Sequence, residues 1–320
     1  MKTTRPGFDI HAAMDAAPET LPPAWTVGEL VTKKFEPREL LLGPWLQARS
    51  ANMVYGPRGV GKSYLVQTTA VSIATGTTLI ERWTAFQRRR VLFIDGELPG
   101  SELQRRFALL ISGYKVQPDD YLRLVVADEL EHGLPSVATA AGAEIVLGLA
   151  EHWRSDIVVF DSISTLVGGL DENSAEAWQP VQDLILALRR IAVGVLLVHH
   201  TNKVGGQRGT SRREDILDSI LALRAPADAD EGDGARFVVG YEKHRAFRGG
   251  EALPFTAELV TDATGARWRT SEPSEGRLAL VARLTADGKS LRAIEQETGI
   301  PRSTIQRLIE RGKKEKEGPK

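Results

Sequence analysis

From about Asn52 onward, short apolar runs alternate with stretches of helical period. The runs are NMVYG (52–56), RVLFID (90–95), LRLVVA (122–127), DIVVFD (156–161), VGVLLVHH (193–200), SILALRA (219–225) and ARFVVGYEK (235–243). They are continuous rather than alternating, the pattern of strands covered on both faces. The stretches 62–76, 100–112, 137–154 and 175–191 suit helices. Strand–helix alternation predicts an α/β core with a largely parallel central sheet. The acidic, glycine-rich PADADEGDG (226–234) predicts an exposed hairpin loop.

The flanks differ from this core. Residues 1–37 carry Pro6, Pro18, Pro22 and Pro23 with little hydrophobic pattern and read as a flexible arm. The α/β domain is expected over 38–269, a linker over 270–276 (TSEPSEG), a small all-α domain over 277–312 and a disordered tail over 313–320. Among 320 residues, 41 Lys and Arg meet 42 Asp and Glu, so a protein that coats polyanions with its whole surface is excluded. Nucleic-acid contact then needs local patches. The absence of cysteine excludes a disulfide scaffold, a thiolate zinc site, an iron–sulfur cluster and a cysteine nucleophile. No apolar run nears the roughly 18–20 residues of a membrane span, and the N-terminus lacks the apolar core of a secretory signal. The expected compartment is the cytoplasm, with no membrane partner.

Gly56-Pro57-Arg58-Gly59-Val60-Gly61-Lys62-Ser63 matches the phosphate-binding pattern G-x-x-x-x-G-K-[ST] in full. It follows an apolar strand and opens a helix. Glycines let successive N–H groups turn toward phosphate oxygens, and the helix adds its positive end. Lys62 reaches the β- and γ-phosphates, Ser63 offers a hydroxyl to Mg²⁺, and Tyr64 continues the loop into the helix.

Hydrolysis also needs an acid for the metal and a group for the attacking water. Asp161 ends the run DIVVFD, at the carboxyl end of a strand where such folds bind ligands. It is the expected Mg²⁺ acid, although a helix N-cap would also explain it. RVLFIDGELPG supplies Asp95 and Glu97. Glu97 is the preferred general base, because Asp95 precedes Gly96 and suits an inward structural bond. VGVLLVHHTNK ends in His199 and His200, which point to opposite faces of a strand. His200 is the preferred γ-phosphate sensor.

GPRGVGKS, FIDGELP, VVFDSIS and LLVHHTNK, in this order and spacing, resemble the RecA-like ATPases, and most of all the RepA-type hexameric replicative helicases of plasmids and mobile elements. The lead-in LLGPWL fits that group too, and the resemblance covers roughly residues 38–260. It implies a RecA-like core, ATP and Mg²⁺ held between subunits of a homo-oligomeric ring, and DNA in the central channel. Carried over by residue, Gly56–Ser63 match the Walker A loop, Glu97 the catalytic glutamate, Asp161 the Walker B acid and His200 the sensor. Lys243-His244-Arg245 resembles the K-x-R whose basic residues reach a neighbour's γ-phosphate. Arg208 is a second candidate for the trans arginine, and the two stay open.

Lys203, Arg208, Arg212 and Arg213 put four basic residues and no acid into a glycine-rich stretch just past the sensor. Such a loop suits single-stranded DNA phosphates. Residues 276–320 hold eleven basic and six acidic residues, against a chain that is −1 overall. Helices are expected at 276–286, 290–297 and 301–311. The Thr298-Gly299-Ile300 turn has the spacing of a helix-turn-helix. Its recognition helix would turn Arg302, Ser303, Thr304, Gln306 and Arg307 toward duplex DNA. Two functions follow: a RepA-like DNA helicase, or an ATP-dependent DNA-binding regulator or accessory ATPase. KaiC-like and recombination-mediator proteins share the core without unwinding duplexes.

Overall fold

A computed structural model describes residues 23–168, 175–200, 215–226, 234–272, 277–298, 300 and 302–317. The chain divides into two compact units, Met1–Pro37 and Arg38–Lys320. In the first, a short helix α1 (Val27–Thr32) breaks the expected uniform arm. Thr26 and Glu29 explain it, since each side chain satisfies a free backbone N–H of the other in a capping box.

The second unit opens with a two-stranded ribbon, β1 (Leu40–Leu42) and β2 (Leu46–Gln47), then β3 (Ala51–Gly56) and helix α2 (Lys62–Thr75). Next come β4 (Val91–Asp95), α3 (Gly100–Tyr114), β5 (Leu122–Val126), α4 (Ala140–His152), β6 (Ile157–Asp161) and α5 (Ile163–Val167). Helix α6 (Ala175–Arg190) leads to β7 (Gly194–His200), and four strands follow: β8 (Ser219–Arg224), β9 (Arg236–His244), β10 (Phe255–Asp262) and β11 (Gly265–Ser271). The chain continues in α7 (Arg277–Ala286), α8 (Leu291–Thr298) and α9 (Arg302–Glu317).

One sheet has the order β11-β10-β9-β8-β3-β7-β6-β4-β5. The strands from β8 to β5 run parallel, and β9, β10 and β11 are antiparallel additions. Apolar side chains pack on both faces. Val54, Phe93, Val159 and Val198 meet Leu65, Val66 and Ile73 of α2 on one side. Met53, Leu92, Val158 and Leu197 meet Val146, Leu184 and Leu188 on the other. The parallel core thus matches the apolar runs. Two of those runs behave otherwise. β5 is an edge strand of partly buried residues with Leu124 exposed, and β9 alternates over its first half because only one of its faces is covered.

The antiparallel strands close over α2. Trp268 of β11 donates Nε1–H to Thr68 Oγ1 on α2 (2.8 Å) and its backbone N–H to Tyr114 Oη on α3 (2.7 Å). Gly113 lies so close to Ala266 that a Cβ would stand 2.3 Å from its carbonyl oxygen.

Two boundaries differ from the sequence expectation. β11 runs through Ser271, so Thr270 and Ser271 belong to the sheet and not to a linker, while 273–276 lie outside the described residues. Helix α9 continues to Glu317, where a disordered tail was expected from 313. Lys and Glu are good helix formers, and they carry the helix past Gly312 toward Gly318-Pro319. Most of the acidic 226–234 loop, residues 227–233, also lies outside the described residues, although β8 and β9 on its flanks do pair antiparallel. In the C-terminal segment Val281, Leu284, Ile294, Ile300, Ile305 and Leu308 make one small core shared by α7, α8 and α9. No helix among the described residues is long and apolar enough to cross a membrane.

Candidate active site

The carboxyl ends of β3, β7, β6 and β4 lie side by side, and each delivers a chemically active residue. β3 delivers the loop 56–63. Two glycines there are dictated by geometry: a Cβ on Gly56 would stand 2.7 Å from Leu223 O, and Gly61 has φ +104° and a Cβ on it would stand 2.5 Å from Ala235 Cβ, just before β9. The loop delivers Lys62 into a buried position, where Nζ donates to Gly56 O (2.9 Å) and Pro57 O (2.8 Å). Burial pushes the Lys62 ammonium down to about 8, against the opposing pull of the Glu97 and Asp161 charges. An anion in the loop would replace those two carbonyls as the partner of Nζ and restore the full charge.

Asp161 is not on the strand next to the loop, since β7 lies between β3 and β6. Its side chain still reaches the loop, and Ser63 Oγ donates to Asp161 Oδ1 at 3.4 Å. The N-cap of α5 is Ser162, so Asp161 is not the capping residue. Asp161 is 1% exposed, and its Oδ2 has no hydrogen-bond partner. Burial first, then the charge of Asp95, raises its carboxyl to about 7. A buried carboxylate oxygen without a donor, beside a serine hydroxyl, is a donor set that fits a divalent cation.

Glu97 follows the end of β4 and lines both cavities beside the loop. Its backbone N–H and that of Leu98 donate to Asp95 Oδ1 (2.9 and 2.7 Å), the inward structural bond expected of Asp95. Glu97 Oε1 takes Ser162 Oγ–H at 2.6 Å and His200 Nε2 at 2.7 Å. An ionised carboxylate only accepts, so Nε2 of His200 carries the proton in this pair. The His200 bond leads in holding the Glu97 carboxyl down to about 2, with Ser162 and Lys62 adding to it against the cost of burial. His199, on the other face of the strand, is buried away from Glu97.

Two adjoining cavities share Glu97, His200 and Gly59. One, of about 370 Å³, is walled by Gly61, Lys62, Ser63, Tyr64 and Arg106. The other, of about 530 Å³, is walled by Arg58, Ser164 and Thr165. A further cavity of about 470 Å³ between Leu40 and Phe255 includes no residue of the 56–63 loop. Val60 packs on the core beneath the loop. Ser162 and Arg106 are site residues that sequence reasoning missed. Arg106 extends from α3, its guanidinium bonded to Glu102 (2.7 Å) and 4.7 Å over the Tyr64 ring. A basic residue on the helix after Glu97 was the available signal.

Lys243 and Arg245 are not brought to this site. Lys243 pairs with Ile220 and His244 with Ser219, at the start of β8, while the loop leaves the opposite end of the sheet. Arg245 instead donates Nη2–H to Asp215 O at 3.1 Å. Lys203, Arg208, Arg212 and Arg213 lie outside the described residues. In α9, Ser303, Gln306 and Arg307 are exposed while Ile305 and Leu308 face inward, and Arg302 Nε is bonded to Glu295 at 2.7 Å. Thr304 is half-buried.

No curated protein matches the sequence. Among solved structures, a KaiC-like protein from the hyperthermophilic archaeon Pyrococcus horikoshii OT3 aligns over 73% of this chain and 99% of its own, at 14% identity and a TM-score of 0.49. Both values are too low to transfer a fold or an activity. A family model described as an AAA domain matches residues 16–206, which include the phosphate loop, Glu97, Asp161 and His200. The chain belongs to this AAA-domain family.

Proposed function

We propose that the chain is an Mg²⁺-dependent ATPase that works as a ring on DNA, and that it is a RepA-like hexameric DNA helicase. The observation that carries the hydrolytic part is the convergence of Lys62, Ser63, Glu97 and His200 on adjoining cavities at the carboxyl ends of the central strands, with Asp161 bonded to Ser63. Membership of an AAA-domain family, whose members generally use ATP and Mg²⁺, supports it.

The residues divide the work as follows. Backbone N–H groups of 56–63 and the start of α2 cradle the phosphates, and Lys62 neutralises the β- and γ-oxygens. Ser63 and Asp161 would hold Mg²⁺, which supplies charge for the oxygens of the transferred group. Glu97 takes a proton from water as its oxygen attacks the γ-phosphorus. The bond to the ADP oxygen breaks, and the products are ADP and phosphate. His200, bonded to the same carboxylate, reads whether the γ-phosphate is present.

Charge developing in that transition state calls for a further arginine. Lys243 and Arg245 stand too far along the sheet to serve their own site, so a neighbouring copy would supply Arg245, or Arg208. Lys203, Arg212 and Arg213 would track single-stranded DNA. The exposed face of α9 with Ser303, Gln306 and Arg307 suits a helix-turn-helix contact with duplex. That face is also what favours the second reading, an ATP-driven regulator that binds DNA without unwinding it.

The test is ATP turnover and strand displacement by the full chain, with and without single-stranded DNA. Stimulated turnover and displacement, both absent in Lys62→Ala, are expected. Turnover indifferent to DNA would overturn the motor, and stimulated turnover without displacement would favour the regulator.

A further inference from the structure

Ser162 occupies the N-cap of α5, yet its side chain makes no capping bond. Serine is favoured at this position because its oxygen accepts a free N–H of the first turn. Here the hydroxyl turns away from its own helix and donates to Glu97 Oε1 at 2.6 Å. The residue is wholly buried, and its backbone is anchored, with Ser162 O accepting from Thr165 Oγ1 (2.9 Å) and Leu166 N (3.2 Å). The hydroxyl therefore has a fixed origin and a fixed target.

Glu97 is held from three directions. Asp95 Oδ1 fixes its backbone N–H, His200 Nε2 reaches Oε1 from the end of β7, and Ser162 reaches the same Oε1 from the end of β6. Two donors on one oxygen set the plane and rotation of the carboxylate. They also leave Oε2 as the atom that accepts a proton.

We propose that Ser162 is a positioning residue for Glu97. It gives up helix capping to aim the carboxylate, so that Oε2 and not Oε1 meets the attacking water. This rests on the hydrolytic reading above. The residue touches neither substrate nor metal in this scheme and acts only through Glu97.

The test is a double-mutant cycle in the full-length protein with two independent readouts. Ser162→Ala should lower kcat roughly ten- to a hundredfold, the worth of one hydrogen bond to a charged group. KM and nucleotide affinity should stay as in wild type. Ser162→Cys, with a weaker donor of similar shape, should fall between the two. In a Glu97→Gln background the alanine change should cost nothing further, because the carboxylate it aims is gone. An equal loss in both backgrounds, or a loss of nucleotide affinity alone, overturns the proposal. The second readout needs no turnover. Isotope-edited infrared spectra of the nucleotide-free protein locate the Glu97 carboxylate band by its absence in Glu97→Gln. The band should shift in Ser162→Ala, and an unmoved band overturns the proposal. A wild-type protein that hydrolyses nothing while its band shifts would sink the hydrolytic reading and leave the Ser162–Glu97 coupling standing.

Discussion

The parallel and antiparallel parts of the sheet are built on the same ladder but do different work. In the parallel part, the strand ends bring Lys62, Glu97, Asp161 and His200 together. These groups are expensive to bury. Lys62 and Asp161 are both held away from their ordinary protonation ranges by burial. No residue of the antiparallel strands β9, β10 and β11 lines the two cavities. They supply Phe237, Phe255, Ala257 and Trp268 to the core over α2, and their near end backs Gly61. Chemistry and support are thus separated within one sheet. Polar groups that weaken the fold gather at one edge, and apolar cover elsewhere offsets them.

This separation can be broken in three places. The largest effect is expected for Glu97→Gln. It should retain nucleotide binding and lose turnover by roughly 10²–10⁴-fold, the usual worth of a general base. Its unfolding midpoint should also fall at neutral pH, because the fold holds the Glu97 carboxylate well below its ordinary range, and comparable turnover in the variant would move the base to another residue. Trp268→Ala should do the reverse. A large buried side chain and its bond to Thr68 are removed, which costs about 3–5 kcal/mol in denaturant unfolding. Turnover per folded molecule should stay near wild type. A catalytic loss larger than the loss of folded protein would show that the two parts are not separable.

The smallest effect concerns Asp161→Asn in the metal-free protein. In the fold the carboxyl is held up to about 7, whereas in an unfolded chain it ionises near about 3.9. Between those values the folded state keeps a proton that the unfolded state releases. The group's contribution to stability is therefore complete below about pH 4 and declines as pH rises toward 7. Asparagine does not titrate. The variant should thus melt higher than wild type at pH 7–8 without metal. Mg²⁺ should close the gap by stabilising the wild type alone. A variant that melts lower at every pH would mean that the Asp161 charge is already compensated.

How much of this was legible depended on where each residue sits. Each runs-and-ends feature could be read directly: the buried strands β3, β4, β6, β7 and β8 are mostly apolar, and Ser63, Glu97, Asp161 and His200 lie at or just past their ends. β10 and β11 escaped because half-buried strands carry Glu258, Asp262, Arg267 and Arg269 among their apolar residues, which blurs the period. Ser162 escaped because serine after a strand reads as a cap, and only the direction of its hydroxyl says otherwise. Arg106 escaped because its approach to Tyr64 depends on how α3 lies against α2.

β9 has one further consequence. Ala235, just before it, abuts Gly61, and Lys243 and Arg245 stand at its far end. A hydrogen-bonded strand does not stretch or shorten, and nine residues span roughly 27 Å at about 3.4 Å each. The strand is a gauge rod: it keeps Lys243 and Arg245 one fixed stride from this chain's own phosphate loop.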